Sequence, residues 1–180
     1  MTDEKQIRWA GQASAIHLSG WVIDEMLLRR SAAMVVNWPT LQTRTLDVST
    51  SSFRQRPFRE VKQEFDKKVA ELGDWLDRAR HYAQALEKGS AAKFDRDLKL
   101  EALVPVIRGE LPVLVVANRA REIRSAVEFC EKQKLKMILA GGAEAWKVKD
   151  LLREKKIPVV LRPTLRLPAE EDDPDRKSVV

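Results

Sequence analysis

Residues 111–120 read LPVLVVANRA, an apolar run that stops abruptly at Asn118 and Arg119. Residues 136–146 read KMILAGGAEAW, and a third apolar run, IPVVL, follows at residues 157–161. Each run is short and rich in β-branched or other apolar residues, without the alternation of a strand that has one face in water. The runs therefore predict three strands, at residues 113–117, 137–140 and 157–161.

Apolar residues at helical spacing separate these predicted strands. They follow the first strand at Ala120, Ile123, Ala126 or Val127, and Cys130, with Asn118 as the expected helix N-cap. They follow the second strand at Trp146, Val148, Leu151 and Leu152. The order β-α-β-α-β indicates an α/β fold with a parallel sheet and outer helices. A (β/α) barrel and a doubly wound open sheet both satisfy this pattern.

The remainder of the chain divides near residue 57. We predict that residues 1–57 form an irregular N-terminal portion, with short strands within 14–26 and 32–38 and a polar loop at 41–57. From Phe58 the apolar spacing predicts a long amphipathic helix to about residue 88, and a second helix spans about 95–107. Residues 58–180 are then a helix-rich partial (β/α) barrel that ends in the acidic tail AEEDDPDRKSVV.

The composition of the 180-residue chain argues against several classes of protein. Lys and Arg number 33 against 27 Asp and Glu, but the charges interleave as in REVKQE, which is typical of a solvated helix rather than a nucleic-acid interface. No apolar run reaches the roughly 18 residues needed to cross a bilayer, and no signal-peptide layout opens the chain. The single cysteine, Cys130, falls on an apolar helical stripe. We predict a cytoplasmic protein without nucleic-acid or membrane partners.

Ligands of parallel sheets bind at the carboxyl ends of the strands. This rule selects seven candidate substrate-binding residues: Asn118, Arg119, Gly141, Gly142, Glu144, Arg162 and Thr164. Some also have ordinary structural roles, since Asn118 can cap a helix and Glu144 can complement a helix dipole. The Gly141-Gly142 pair matches no phosphate-loop spacing, yet a helix N-terminus there could hold an anion, so a nucleotide-binding protein is one alternative.

Motifs for metal or nucleophilic chemistry are absent from the sequence. It contains no HxH, HExxH or CxxC, and its only histidines are His17 and His81. His81 lies beside the apolar stripe of the long helix, where a surface or packed histidine is expected. No Ser/His/Asp set has the spacing of a nucleophile elbow.

Two segments carry a family resemblance, FDRDLKLEALVPVIRGELPVLVVANRAREIRSAVEF and KMILAGGAEAWKVKDLLREKKIPVVLRPTLRLPAEEDDP. They resemble the middle of the imidazolonepropionase-like branch of the metal-dependent amidohydrolases, and the similarity extends upstream through AIHLSGW, AAMVVNWP and FREVKQEF. The resemblance implies a (β/α)₈ TIM-type barrel in which one or two divalent metals, commonly zinc, activate water to hydrolyse an amide or cyclic amide. It also implies a small-molecule amide as the substrate.

The sequence departs from that family at the metal ligands. Relatives usually read VLVHANRA where this chain has VLVVANRA, so Val116 stands where a metal-binding histidine is expected. The sixth-strand segment, Ala140-Gly141-Gly142, also lacks a histidine, and the HxH pair and eighth-strand aspartate have no counterpart. We expect that the chain has no complete metal site, does not bind zinc stably and has little activity alone.

Length favours a partial barrel, because a complete one takes roughly 250 residues. We therefore interpret the chain as a fragment or a degenerate paralogue of an amidohydrolase. The alternative is a non-catalytic binding or assembly module, which forms homo-oligomers or associates through exposed sheet edges.

Overall fold

A computed structural model describes residues 9–41, 43–47, 52–87 and 96–161. In chain order its strands are β1 (Trp9–Ile16), β2 (Leu27–Asn37), β3 (Arg44–Asp47), β4 (Ser52–Gln55), β5 (Val113–Ala117), β6 (Met137–Gly141) and β7 (Val159–Leu161). Its α-helices are α1 (Ile23–Met26), α2 (Phe58–Glu87), α3 (Leu98–Ile107), α4 (Ala120–Gln133) and α5 (Lys149–Glu154), with a 3₁₀ helix at Ala145–Val148. Arg162, Thr164 and the acidic tail lie outside the described residues.

Five of the strands form one mixed sheet in the order β1-β2-β5-β6-β7. β2, β5, β6 and β7 run parallel to one another, and β1 pairs antiparallel with β2. β3 and β4 form a separate hairpin. The prediction of an α/β fold with parallel strands is therefore confirmed, and this part of the chain forms an open five-stranded sheet.

The helices cover one face of this sheet. Alternate residues of the two central strands, Val113, Val115 and Leu139 among them, are buried in a core that includes α2, α3 and α4. Helices α2 and α4 are also joined at their surface, where the Arg80 guanidinium donates to the Gln133 side chain at 2.7 Å. The outer helices predicted from the spacing are thus packed on the same side.

The opposite face of the sheet is less enclosed. The strand register places Val35, Leu114 and Ile138 in one row across β2, β5 and β6, and all three are only half-buried. β7 is the last strand of the described sheet, and its central residue, Val160, is 52% exposed. The sheet therefore has a packed side and a partly open apolar side.

The first part of the chain is more regular than the sequence indicated. Its 11-residue strand β2 is hydrogen-bonded beside β5, and the region 41–57, expected to be a loop, contains the β3-β4 hairpin. The domain boundary at residue 57 stays a prediction. Helix α3 begins at Leu98 rather than near 95, because the Asp97 carboxylate accepts from the backbone N–H groups of Lys99 and Leu100.

Two further expectations concern the helices. Cys130 is buried in α4, as its place on the apolar stripe predicted, and burial raises the pKa of its thiol to about 12. Among the described helices, none is both long and apolar enough to cross a membrane. The 30-residue helix α2 has charged residues along its exposed side, including Lys62 and Lys67.

Candidate functional site

The segments after β5 and β6 lie side by side at the carboxyl edge of the sheet. The Gly142 N–H donates to the Ala117 carbonyl at 2.8 Å, and the Glu144 N–H donates to the Asn118 carbonyl at 2.8 Å. These bonds continue the contact between the two strands beyond the sheet. They bring together five of the seven predicted site residues, which are Asn118, Arg119, Gly141, Gly142 and Glu144. We call these five residues the rim.

Both glycines of the rim are required by the backbone. Gly141 has φ +98° and Gly142 has φ +68°, a left-handed conformation that side chains disfavour. A Cβ atom on Gly141 would also lie 2.6 Å from the Oδ1 atom of Asn118. The glycine pair therefore lets the chain turn closely against Asn118, which explains its presence without a bound phosphate.

The Glu144 carboxylate bridges the two segments. One oxygen accepts from the Ala120 N–H at 2.8 Å, and the other accepts from the Lys147 ammonium at 3.2 Å. Partial burial raises the pKa of Glu144, but the Ala120 N–H, Lys147 and the charge of Arg119 outweigh that effect, so the pKa falls below its ordinary value. Glu144 is therefore an ionised carboxylate at the N-terminus of α4.

Glu122 is a second carboxylate at this helix end, and sequence reasoning missed it. It is 3% exposed, and its two oxygens accept from the backbone N–H groups of Leu41 at 3.3 Å and Arg119 at 3.2 Å. The signal that could have found it is a glutamate at the third position of a helix, which reaches back to the N-cap N–H. Glu122 thus connects the segment after β2 to the start of α4.

The helix N-cap is not Asn118, as the sequence suggested, but Arg119. The expectation was wrong by one residue because glutamate side chains, rather than the Asn118 amide, accept from the first N–H groups. At this edge of the described sheet, the N–H groups of Arg119, Ala120 and Gly142 all have acceptors inside the chain. This geometry favours a structural role for the helix end over the anion-binding alternative.

The residue at the expected metal-ligand position lies on the half-buried face of the sheet. Val116 is in register with Asn37 of β2 and Ala140 of β6, and Ala140 is in register with Val160 of β7. We call these four residues the ligand row. Three of its side chains are hydrocarbon and the fourth is a neutral amide. Zinc sites use imidazole, thiolate or carboxylate donors, so the ligand row does not fit a divalent metal.

The histidines lie elsewhere. The His17 Nε2 atom is 2.7 Å from the Glu25 carbonyl oxygen in the connection between β1 and β2, and His81 is exposed on α2. Across the described ranges, no three His, Cys, Asp or Glu residues are grouped closely enough to hold a metal ion. The family-implied zinc therefore has no donor set in this part of the chain.

The sheet and the rim define an α/β protein with a mostly parallel, helix-covered sheet and its polar residues at the carboxyl strand ends. Neither a protein-family model nor a curated protein matches the chain. The fold is similar to that of the crystal structure of an amidohydrolase from Thermotoga maritima MSB8, with a TM-score of 0.67 and 23% identity. The match covers 92% of this chain and 42% of that chain. The likeness shows a shared fold, over less than half of the neighbour's length.

Proposed function

We propose that the protein is an amidohydrolase-type chain, a partial (β/α)₈ barrel of the imidazolonepropionase-like branch, whose metal site for C–N bond hydrolysis is incomplete. The observation that carries the proposal is the ligand row, in which Val116 occupies the position of the expected histidine beside Ala140. The fold similarity to an amidohydrolase supports the same interpretation. The ligand row fits a fragment and a degenerate paralogue equally well.

The proposal assigns separate roles to the ligand row and the rim. In the family the metal polarises the amide carbonyl and lowers the pKa of a water molecule. The ligand row has no group that could hold such a metal, so hydrolysis by this chain alone is not expected. The Asn118 amide and the exposed Arg119 guanidinium have the chemistry to bind a small amide at the rim, by accepting and donating hydrogen bonds.

Hydrolysis assays with a simple cyclic amide test this proposal. The wild-type chain with added zinc should show no turnover above the buffer background. The variant Val116→His should also be inactive, because one imidazole does not complete a site that needs three or four donors. Zinc-dependent turnover by the wild type, or its appearance with this single change, would overturn the proposal.

A second candidate function is assembly, and the exposed apolar end of the sheet favours it. Val160 and Leu161 of β7 are 52% and 70% exposed, next to the half-buried row of Val35, Leu114 and Ile138. A last strand with exposed apolar residues offers backbone groups and surface to another chain. Association through this edge would cover both the backbone groups and the apolar surface of β7.

Sedimentation velocity over a range of concentrations tests the assembly candidate. If β7 is an interface, the wild type should associate and Val160→Lys should shift it to the monomer, because a buried ammonium is costly at an apolar contact. Leu98→Lys is the matched control, since Leu98 is 69% exposed at the start of α3, away from this edge. A wild type that stays monomeric at every concentration would exclude assembly.

We also propose a cytoplasmic location and a small amide as the ligand. The same proposal includes no stable zinc and no membrane or nucleic-acid partner. The interleaved charges of α2 and the buried Cys130 thiol support the location and the lack of a nucleic-acid partner. A filter-binding assay at low salt would reveal nucleic-acid affinity if the last assignment is wrong.

A further inference from the structure

A groove of about 420 Å³ runs between α5 and β7, outside the rim and the ligand row. Its floor is apolar and includes Leu152 and Val159, and Trp146, which is 60% exposed, also lines it. An exposed tryptophan beside an apolar floor is typical of binding surfaces. The groove is therefore a candidate docking site.

Basic side chains surround the floor of this groove. Lys149, Arg153 and Lys156 all line it, and their spacing of four and three residues places them on one side of α5 and its C-terminal turn. Neighbouring lysines are paired, Lys155 with Glu131 and Lys147 with Glu144. Within the described ranges, no carboxylate pairs with the three groove cations. With respect to the described residues, the groove thus presents unneutralised positive charge around an apolar floor.

The sequence contains a segment of complementary chemistry close by. Residues 170–175, EEDDPD, carry five carboxylates, and β7, which lines the groove, ends at Leu161. The eight intervening residues, 162–169, can span up to roughly 28 Å when extended. The groove runs along about ten helical residues, which corresponds to a length of roughly 15 Å. The acidic segment can therefore reach every cation of the groove.

We propose that residues 170–175 of the same chain bind in this groove, with their carboxylates against Lys149, Arg153 and Lys156. Tethering favours this occupant, because a short linker holds the segment at an effective concentration of about a millimolar. Binding would neutralise the groove and cover Trp146. The contact involves neither the rim nor the ligand row, so it is independent of the proposed function.

Zero-length carbodiimide cross-linking of the full chain tests this contact. The reagent joins a lysine ammonium to a carboxylate only where the two groups touch. We expect peptide mapping to link Lys149 and Lys156 to residues 170–175 in the monomer band, with the links lost at about 1 M salt. Lys62 and Lys67 on α2 are the control lysines, because both are exposed and lie on another helix. Links at the control lysines in equal yield would overturn the proposal.

Indole N–H signals in ¹⁵N NMR spectra give a second readout. Replacing the five carboxylates of residues 170–175 by amides should shift the Trp146 signal and leave that of Trp75 unchanged, since Trp75 stacks with Arg78 on α2. The Lys149→Gln, Arg153→Gln, Lys156→Gln variant should give the same Trp146 shift. An unchanged Trp146 signal, or cross-links found only in a dimer band, would contradict binding within one chain.

Discussion

The two faces of the central sheet differ in how they are built. On the helix-covered face, Val113, Val115 and Leu139 are almost fully buried, and the rim above them is joined by backbone and carboxylate hydrogen bonds. On the opposite face, Leu114 and Val116 alternate with these residues and are half-buried. One face holds the fold together, whereas the other is a partly open apolar surface that carries the ligand row.

The difference shows that the packing of this sheet and the chemistry at its strand ends depend on different side chains. Packing of the covered face depends on apolar residues of β5, β6 and α4. Metal chemistry would depend on a few side chains of the opposite face, and the ligand row supplies none of the required donors. The side chains that pack the core are therefore not those of the ligand row.

Truncating matched leucines on the two faces should give the largest contrast. Leu139→Ala should lower the free energy of unfolding by about 3 kcal/mol, because Leu139 is 0% exposed and its loss leaves a cavity. Leu114→Ala, on the half-buried face, should cost about 1 kcal/mol. Urea unfolding followed by circular dichroism measures both. Equal losses would show that the second face is as tightly packed as the first.

A methyl group at the rim should have the next largest effect. Gly141→Ala should cost about 2 to 3 kcal/mol, because the residue has φ +98° and its new Cβ would meet the Asn118 side chain. Gly109→Ala is the control, since Gly109 has φ +71° but open space around it, and about 1 kcal/mol is expected. The same unfolding measurement applies. If both variants lose the same amount, the close contact with Asn118 is not a constraint.

Removal of the buried carboxylate at α4 should cost about 2 kcal/mol. Glu122→Ala leaves the N–H groups of Leu41 and Arg119 without their acceptor in a buried place. Glu128→Ala, at an exposed position of the same helix, should change stability by less than about 0.5 kcal/mol. Thermal unfolding of the two variants compares them. A Glu122→Ala protein as stable as the control would contradict its role as a connector.

Neutralising Glu144 should have the smallest effect and depend on pH. The folded-state pKa of Glu144 is lowered from 4.5, so its charge stabilises the fold above pH 4.5, and this contribution is lost as the pH falls through the folded pKa. Because its side chain is 36% exposed and screened by water, Glu144→Gln should cost only about 0.5 kcal/mol at pH 7. Unfolding curves at pH 7 and pH 3 should show that the deficit shrinks at acid pH. A deficit that grows on acidification would contradict the assignment.

The parallel strands were predictable, because β5 and β6 are apolar segments whose type is decided locally. The sheet position of β2 was not, since its pairing with β5 joins segments separated by α2 and α3. The five rim residues could be selected from the rule on strand ends. The capping bond of Glu122 to Arg119 could be inferred from its place in α4, but its bond to Leu41 could not, because Leu41 lies 81 residues away. Arg162 and Thr164 lie outside the described residues and stay predictions.

Zinc stoichiometry after equilibrium dialysis of the full wild-type chain is the most direct test of the central claim. If the Val116 position carries no metal chemistry, the protein should retain far less than one zinc ion per chain, and Val116→His should retain no more. About one tightly held zinc ion per wild-type chain would contradict the account.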